Sequence, residues 1–297
     1  RSTSMADSDQ PSHEIAVETH DGLTVRGDVF GPATGPGAIF LHGGGQSRSS
    51  WRGAARRLAS AGFCACTMDL RGHGDSDWSR SGNYTFDDYV ADVKATIAQV
   101  GEPALLIGAS MGGHIAMIAA ARYPDRVSAL ALADVTPWVD EDKGDEIRNA
   151  MRQARHGFAS VEEAARMVDT MRGTPSQDDI SGLRRHMRTG PDGRFYWRWD
   201  PAMLADEHLR HGGEGGLLVI EARRLTRPVL LMLAEHSTVT DPAQAIAFKA
   251  AVPWLQTVTI EGAGHMVTGD LNDTYADHIL AFANTLDAPH PREKPHR

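Results

Sequence analysis

The chain is 297 residues long, enough for one large α/β domain or two small ones around a substantial core. Hydrophobic residues make up 41% and charged residues 23%, ordinary globular values that exclude a chain disordered throughout. A formal net charge of −9 argues against a general nucleic-acid binder, and no run approaches the roughly 18 apolar residues of a membrane helix, so neither nucleic acid nor membrane is an expected partner.

The first residues, Arg1 to Pro11, are polar and lack the apolar stretch of a secretory signal, and Arg1-Ser2-Thr3-Ser4 ahead of Met5 reads as an expression remnant. Residues 1–12 and the Pro-, His- and charge-rich 288–297 are expected to be disordered tails. Ile15 to Thr19 and Leu23 to Val29 read as two strands joined by a turn at Asp21-Gly22. A buried strand at Ala38 to Leu41 precedes a helix at Trp51 to Ala61. Phe63 to Met68 is a strand and Phe86 to Val100 a helix; Ala104 to Ile107 is a strand, Met111 to Arg122 a helix and Val127 to Ala133 a strand. The only cysteines, Cys64 and Cys66, share one face of their strand at a spacing that does not suit a disulfide, so buried thiols in a reducing, cytoplasmic setting are expected.

From Thr136 to about Arg224 the alternation stops. This stretch is charged and helix-rich, with helical spacing over Glu162 to Arg172, an aromatic cluster at Phe195-Tyr196-Trp197-Arg198-Trp199 and a loop at Gly212 to Gly216. Arg184, Arg185, His186 and Arg188 are read as a solvated helix face rather than an anion site. The rhythm resumes with a strand at Pro228 to Leu233, a helix at Pro242 to Ala251, a strand at Gln256 to Ile260 and a last helix from about Asp270 to Leu286. The expected fold is α/β: a mostly parallel eight-stranded sheet with helices on both faces, its core formed by 13–135 and 225–287 and interrupted by a helical cap at 136–224.

Three motifs carry chemistry. Gly108-Ala109-Ser110-Met111-Gly112 lies between an apolar strand and a helix, the context in which small residues let a serine sit on a sharp turn with its hydroxyl exposed. His42-Gly43-Gly44-Gly45-Gln46 follows a strand, where glycines let backbone N–H groups approach a ligand, so Gly44 and Met111 are the candidate oxyanion-hole donors. Gly262-Ala263-Gly264-His265-Met266 follows the late strand and offers a base for Ser110, whose hydroxyl is a poor nucleophile without one.

With Asp69-Leu70-Arg71-Gly72-His73-Gly74-Asp75-Ser76, these motifs resemble the α/β-hydrolase superfamily over residues 14 to 286, and in particular bacterial capped serine hydrolases that follow the glycine loop with a glutamine and a tryptophan, here Gln46 and Trp51. The resemblance implies Ser110 as nucleophile, His265 as base and an oxyanion hole near Gly44 and Met111, with Asp69 to Ser76 as a structural turn. It also places the triad acid just after the strand ending at Leu233, where this chain has Ser237 and Thr238. Losing that carboxylate costs serine proteases on the order of 10⁴ in turnover. Asp134 at the end of the preceding core strand is the favoured replacement, with Asp241 and Glu235 as alternatives and a chain with no acid as a further reading.

The substrate pocket is expected to draw on Gly43, Gln46 and Trp51 from the core and on Trp138 and Trp197 from the cap, with Phe158, Met167 and Met171 also on the cap's inner face. The leading reading is hydrolysis of a small to medium carboxylic ester, lactone or thioester through a Ser110 acyl-enzyme. The competing readings are a cofactor-independent lyase or oxygenase using His265 as base, and a non-catalytic ligand-binding protein with an incomplete triad. No cofactor and no metal are expected, since the Cys, His and carboxylate residues show no ligand spacing. The expected partner is a small-molecule substrate; a homodimer through the cap or an edge strand is compatible with the sequence, which names no residue for it.

Overall fold

The computed structural model describes residues 10–172, 183–184, 186–205, 216–265 and 272–286, and in it the apolar runs lie side by side in one eight-stranded sheet. Its strands are β1 (His13–Glu18), β2 (Thr24–Phe30), β3 (Gly37–Leu41), β4 (Cys64–Asp69), β5 (Ala104–Ala109), β6 (Val127–Ala133), β9 (Val229–Ala234) and β10 (Gln256–Ile260). They are ordered β1-β2-β4-β3-β5-β6-β9-β10. The first two pairings are antiparallel and the rest parallel. Every residue of β3, β4 and β5 is buried, as continuous apolar strands covered on both faces must be, whereas β1 at the edge alternates between buried and exposed. Ser12, expected within a tail, already donates its N–H to Val29 O. Residues 1–9, 287–297, Gly212 to Gly215 and the expected helix start at Asp270 lie outside the described residues.

Helices α1 (Arg52–Ser60) and α8 (Asn272–Leu286) cover one face, where Leu58, Ile279 and Phe282 pack with Phe40, Ile107 and Met232. On the other face α2 (Phe86–Val100) and α3 (Met111–Arg122) bring Val93, Ile97, Ile115 and Met117 against Ile39, Leu106 and Leu130. Local chemistry sets where helices begin. Thr85 and Asp88 form a capping box at α2, and Asp241 and Gln244 another at α7 (Pro242–Ala251), so Asp241 is occupied as a helix cap. Both cysteines are buried and free.

Between β6 and β9 the chain forms α4 (Glu141–Ala154), α5 (Val161–Arg172), a two-stranded hairpin of β7 (Met187–Thr189) and β8 (Phe195–Trp197), a 3₁₀ turn at Pro201–Leu204 and α6 (Leu217–Ala222), which packs on α3. The hairpin adds two short, mostly unburied strands to a stretch expected to be helical. Its aromatic residues favour extended backbone, and Gly190 and Gly193 supply the turn. The basic patch changes with it. Arg188 is exposed on β7 with its guanidinium over the Tyr196 ring, so for it the helix assignment is corrected, whereas Arg184 is helical and exposed as expected and lies over Phe195; Arg185 lies outside the described residues. The segment is pinned to the core where Gly74 N–H donates to Arg198 O and Asp200 N–H to Gly72 O, both at 2.8 Å.

Trp51, expected at the pocket, is instead a core residue. It is 1% exposed, stacks edge-on against Tyr275 at 5.7 Å, packs on Phe40 and donates its indole N–H to Leu41 O at 3.1 Å. An apolar ring with one donor is anchored by a carbonyl at the end of β3, which draws it under the sheet. Trp51→Ala is therefore expected to cost about 3–5 kcal/mol of stability, read as a lower denaturant midpoint. An unchanged midpoint would contradict the packing.

Candidate active site

Ser110 sits at the junction of β5 and α3 with φ 48° and ψ −123°, a left-handed region that side-chain-bearing residues rarely occupy. The neighbours make this turn buildable. A Cβ at Gly108 would lie 2.4 Å from Gly112 O, one at Gly112 2.4 Å from Leu41 O, and one at Gly113 2.4 Å from the Val135 side chain. The G-x-S-x-G spacing is thus a steric requirement of strand, turn and helix passing within contact of each other. Met111, the first residue of α3, has no preceding helical turn to receive its N–H.

The glycine loop after β3 is held from two sides. Gly43 donates its N–H to Gln46 Oε1 at 3.0 Å and Gly45 donates to His73 Nε2 at 3.1 Å, whereas among the described residues none accepts from Gly44 N–H. His73 passes its own Nδ1–H to Arg71 O, and the adjacent His42 donates Nδ1–H to Gly43 O at 2.8 Å while its Nε2 accepts from Leu70 N–H. Each imidazole is a neutral cross-link between the glycine loop and the turn after β4. Burial keeps them so, pushing His73 down to about 4 and His42 well below its ordinary value. His73 also forms an isolated bridge with Trp199, so the same turn contacts both the segment between β6 and β9 and the glycine loop.

Asp134 follows β6 at φ 49° and is 0% exposed. Its Oδ2 lies 2.8 Å from His265 Nδ1 and accepts from Ser237 Oγ at 2.6 Å; its Oδ1 accepts from Ala234 N–H at 3.1 Å and from the Thr240 hydroxyl. The hydroxyl at the place where the resemblance puts a carboxylate is therefore a donor to the carboxylate that came from the neighbouring strand. With Nδ1–H given to Asp134, Nε2 is the basic nitrogen of His265. Glu235 does other work: it accepts Gly262 N–H at 2.8 Å, while His236 N–H donates to Ala263 O, tying the loop that carries His265 to the turn after β9.

Ser110, His265, Asp134, Gly44, Met111 and Trp138 all line one cavity of about 180 Å³ whose remaining wall is mostly apolar, including Phe86, Val135, Ile147, Met151 and Leu218. Gly43 and Gln46 are not in that wall and act on the loop's shape; Trp197 faces a separate small hollow with Arg155 and Trp199 and stacks on Phe158. Phe158 is buried and Met167 packs against the core cluster, whereas the Met171 side chain lies outside what is described. Sequence reasoning missed His114, which lines the cavity, donates Nε2–H to Thr136 O at 3.0 Å and is pushed down to about 4 by burial. It also missed Thr240 and the loop-holding roles of His42 and His73, which no local spacing signals. Among the described residues one group of side chains comes close enough to share a metal, His20, Asp21 and Asp88, and Asp21 there is engaged by Arg71. No helix among the described residues is long and apolar enough to cross a membrane.

Burial by itself would raise the Asp134 carboxyl, but the hydrogen bonds from His265, Ser237 and Thr240 outweigh it and hold the group below the usual carboxylate range. A depressed carboxyl stabilises the fold above its unfolded value, near 4, and that contribution is lost as pH falls through the lower folded value. Asp134→Asn is thus expected to be less stable than wild type by about 1–3 kcal/mol near neutrality, with the gap in urea midpoints narrowing below about pH 4. A gap that stays constant through that range would contradict an ionised, hydrogen-bonded Asp134.

Comparison with known proteins shows the family and the fold. A family model described as the alpha/beta hydrolase fold matches residues 39–169. The esterase Rv0045c of Mycobacterium tuberculosis is 30% identical over 246 residues, covering 79% of this chain and 78% of the esterase. A 2-(acetamidomethylene)succinate hydrolase of Mesorhizobium japonicum is 29% identical over 261 residues, covering 86% and 89% of the two chains. The crystal structure of an E-2-(acetamidomethylene)succinate hydrolase superposes with a TM-score of 0.79 at 24% identity, over 92% of this chain and 100% of that one, a likeness of fold. Relatives at this level include lipases as well as esterases. The chain belongs to the α/β-hydrolase family and is an enzyme of the ester-hydrolase kind that these relatives represent.

Proposed function

We propose that the chain hydrolyses a small to medium carboxylic ester, lactone or thioester through an acyl-enzyme on Ser110. The observation that carries this is the 2.8 Å contact between Asp134 and His265 Nδ1, made by a histidine that shares its cavity with Ser110. Nε2 of His265 takes the Ser110 proton as Oγ attacks the carbonyl carbon. The N–H groups of Gly44 and Met111 receive the oxyanion. His265 returns the proton to the leaving group, then activates the water that releases the acid. Two aspects of the cavity support the size class: its modest volume and its apolar wall.

The reading as a ligand-binding protein leaned on a missing acid, and a hydrogen-bonded Asp134 removes that support. A base-only lyase or oxygenase differs in the nucleophile. On the proposed mechanism a fluorophosphonate probe adds once to the wild-type protein, by intact mass, and not at all to Ser110→Ala, which also loses ester turnover. Turnover that survives in Ser110→Ala would point to the base-only chemistry. Asp134→Asn is expected to lower kcat by about 10⁴, while Thr238→Asp brings no gain because the acid is already supplied. The loop-holding role of His73 has its own test. His73→Gln keeps an acceptor near the Nε2 position for Gly45 N–H and should retain most of kcat; His73→Asn, which reaches only the Nδ1 position, should lose about tenfold or more in kcat with little change in KM. Equal kcat in the two variants would sever the loop from catalysis.

A further inference from the structure

Most polar side chains in the wall of the Ser110 cavity are already engaged. Asp134 is committed to His265, Arg148 to Asp145 and Tyr84 to Asp200, while the Thr136 and Thr240 hydroxyls go to Trp138 O and Asp134. The Tyr89 hydroxyl has no partner among the described residues but is sealed from solvent. His114 differs from all of these, because one of its ring nitrogens is used and the other is not.

His114 lies on α3 one turn after the nucleophile, where its backbone N–H donates to Ser110 O at 3.1 Å. Its ring is fixed on two sides. Nε2 lies 3.0 Å from Thr136 O, and the ring stands edge-on to Phe86 with centroids 6.5 Å apart. A carbonyl oxygen only accepts, so Nε2 carries the hydrogen. Burial pushes the imidazole down to about 4, so it is neutral at ordinary pH. Nδ1 is therefore a bare lone pair, and among the described residues nothing donates to it. Holding Thr136 O needs one donor and no acceptor. A lone pair left over in a mostly apolar wall carries a desolvation cost until a donor meets it.

Resting on the hydrolase reading above, we infer that His114 is a specificity-determining residue whose Nδ1 accepts a hydrogen bond from a hydroxyl on the substrate's acyl chain. One helical turn, about 5.4 Å, separates its position from that of Ser110, so the donor belongs close to the reacting carbonyl, on the second or third carbon of the chain. The substrate class is then a 2- or 3-hydroxyacyl ester. An ether, carbonyl or carboxylate at the same place has no hydrogen to offer and would set a second lone pair against Nδ1.

The experiment uses aryl 2-hydroxybutyrate and aryl 3-hydroxybutyrate, each beside its O-methyl ether, which keeps the oxygen and loses the hydrogen. The readout is the kcat/KM ratio of hydroxy ester to ether in each pair. In wild type one pair is expected to favour the hydroxy ester. His114→Gln sets an amide donor near the Nε2 position, keeps the bond to Thr136 O and removes the Nδ1 acceptor. It should hold Tm and lower that ratio by about 3- to 10-fold. His114→Asn reaches only the Nδ1 position, so it should lower Tm yet keep more of the ratio than His114→Gln does. A wild-type ratio of one or below in both pairs overturns the contact and leaves water as the donor to Nδ1. A ratio untouched by His114→Gln, in a protein that still forms the Ser110 adduct, overturns it too. So does a ratio kept by His114→Gln and lost in His114→Asn, which assigns His114 to Thr136 alone. Each of these leaves the hydrolase reading standing. Absence of both adduct and ester turnover in wild type overturns the two together.

Discussion

A serine at φ 48° and ψ −123° can persist only where the surroundings over-determine it, and much of this chain does that. Strand β5 must end beside β3 and α3 must start within contact of both, so Gly108, Gly112 and Gly113 have no room for a side chain. The reward is geometric. The turn leaves the Ser110 hydroxyl at the C-terminal edge of the parallel sheet, where the loops after β3, β6, β9 and β10 also converge, and one cavity collects residues from all of them.

Electrostatics at that edge rests on keeping one carboxylate charged in a dry place. Asp134 is fully buried, which disfavours its charge, and four donors answer that cost: a backbone N–H, two hydroxyls and an imidazole. The histidines near the glycine loop are treated in the opposite sense. His42 and His73 are held neutral by burial so that each can donate through one nitrogen and accept through the other. Identical side chains thus face a carboxylate through Nδ1 in His265 and a backbone carbonyl in His42 and His73.

The segment between β6 and β9 meets the core at the turn that steadies the glycine loop. Arg198 to Asp200 pair with Gly72 to Gly74, His73 within that turn reaches Gly45, and Tyr84, which lines the cavity, donates its hydroxyl to Asp200 at 2.6 Å. Docking of this segment and the geometry of the glycine loop therefore share a short hydrogen-bonded path.

The alternation of apolar runs with helical segments determined the sheet, because strands buried on both faces and helices with one apolar stripe leave unmistakable periods; β6, α2, α3, α7 and β10 begin and end where the pattern places them. Ser110, Gly44 and His265 were legible for a related reason, since sharp turns and close backbone approach need glycine at fixed offsets. Other features depend on contacts between residues far apart in the chain. Asp134 meets His265 across 131 positions, and Ser237 and Thr240 reach Asp134 from another strand, a relation no local spacing encodes. Trp51 follows the glycine loop closely in sequence, yet the carbonyl of Leu41 and the ring of Tyr275 draw it beneath the sheet. Local periodicity and steric need are written residue by residue, whereas burial, and the charge and hydrogen bonding it dictates, belong to the assembled fold.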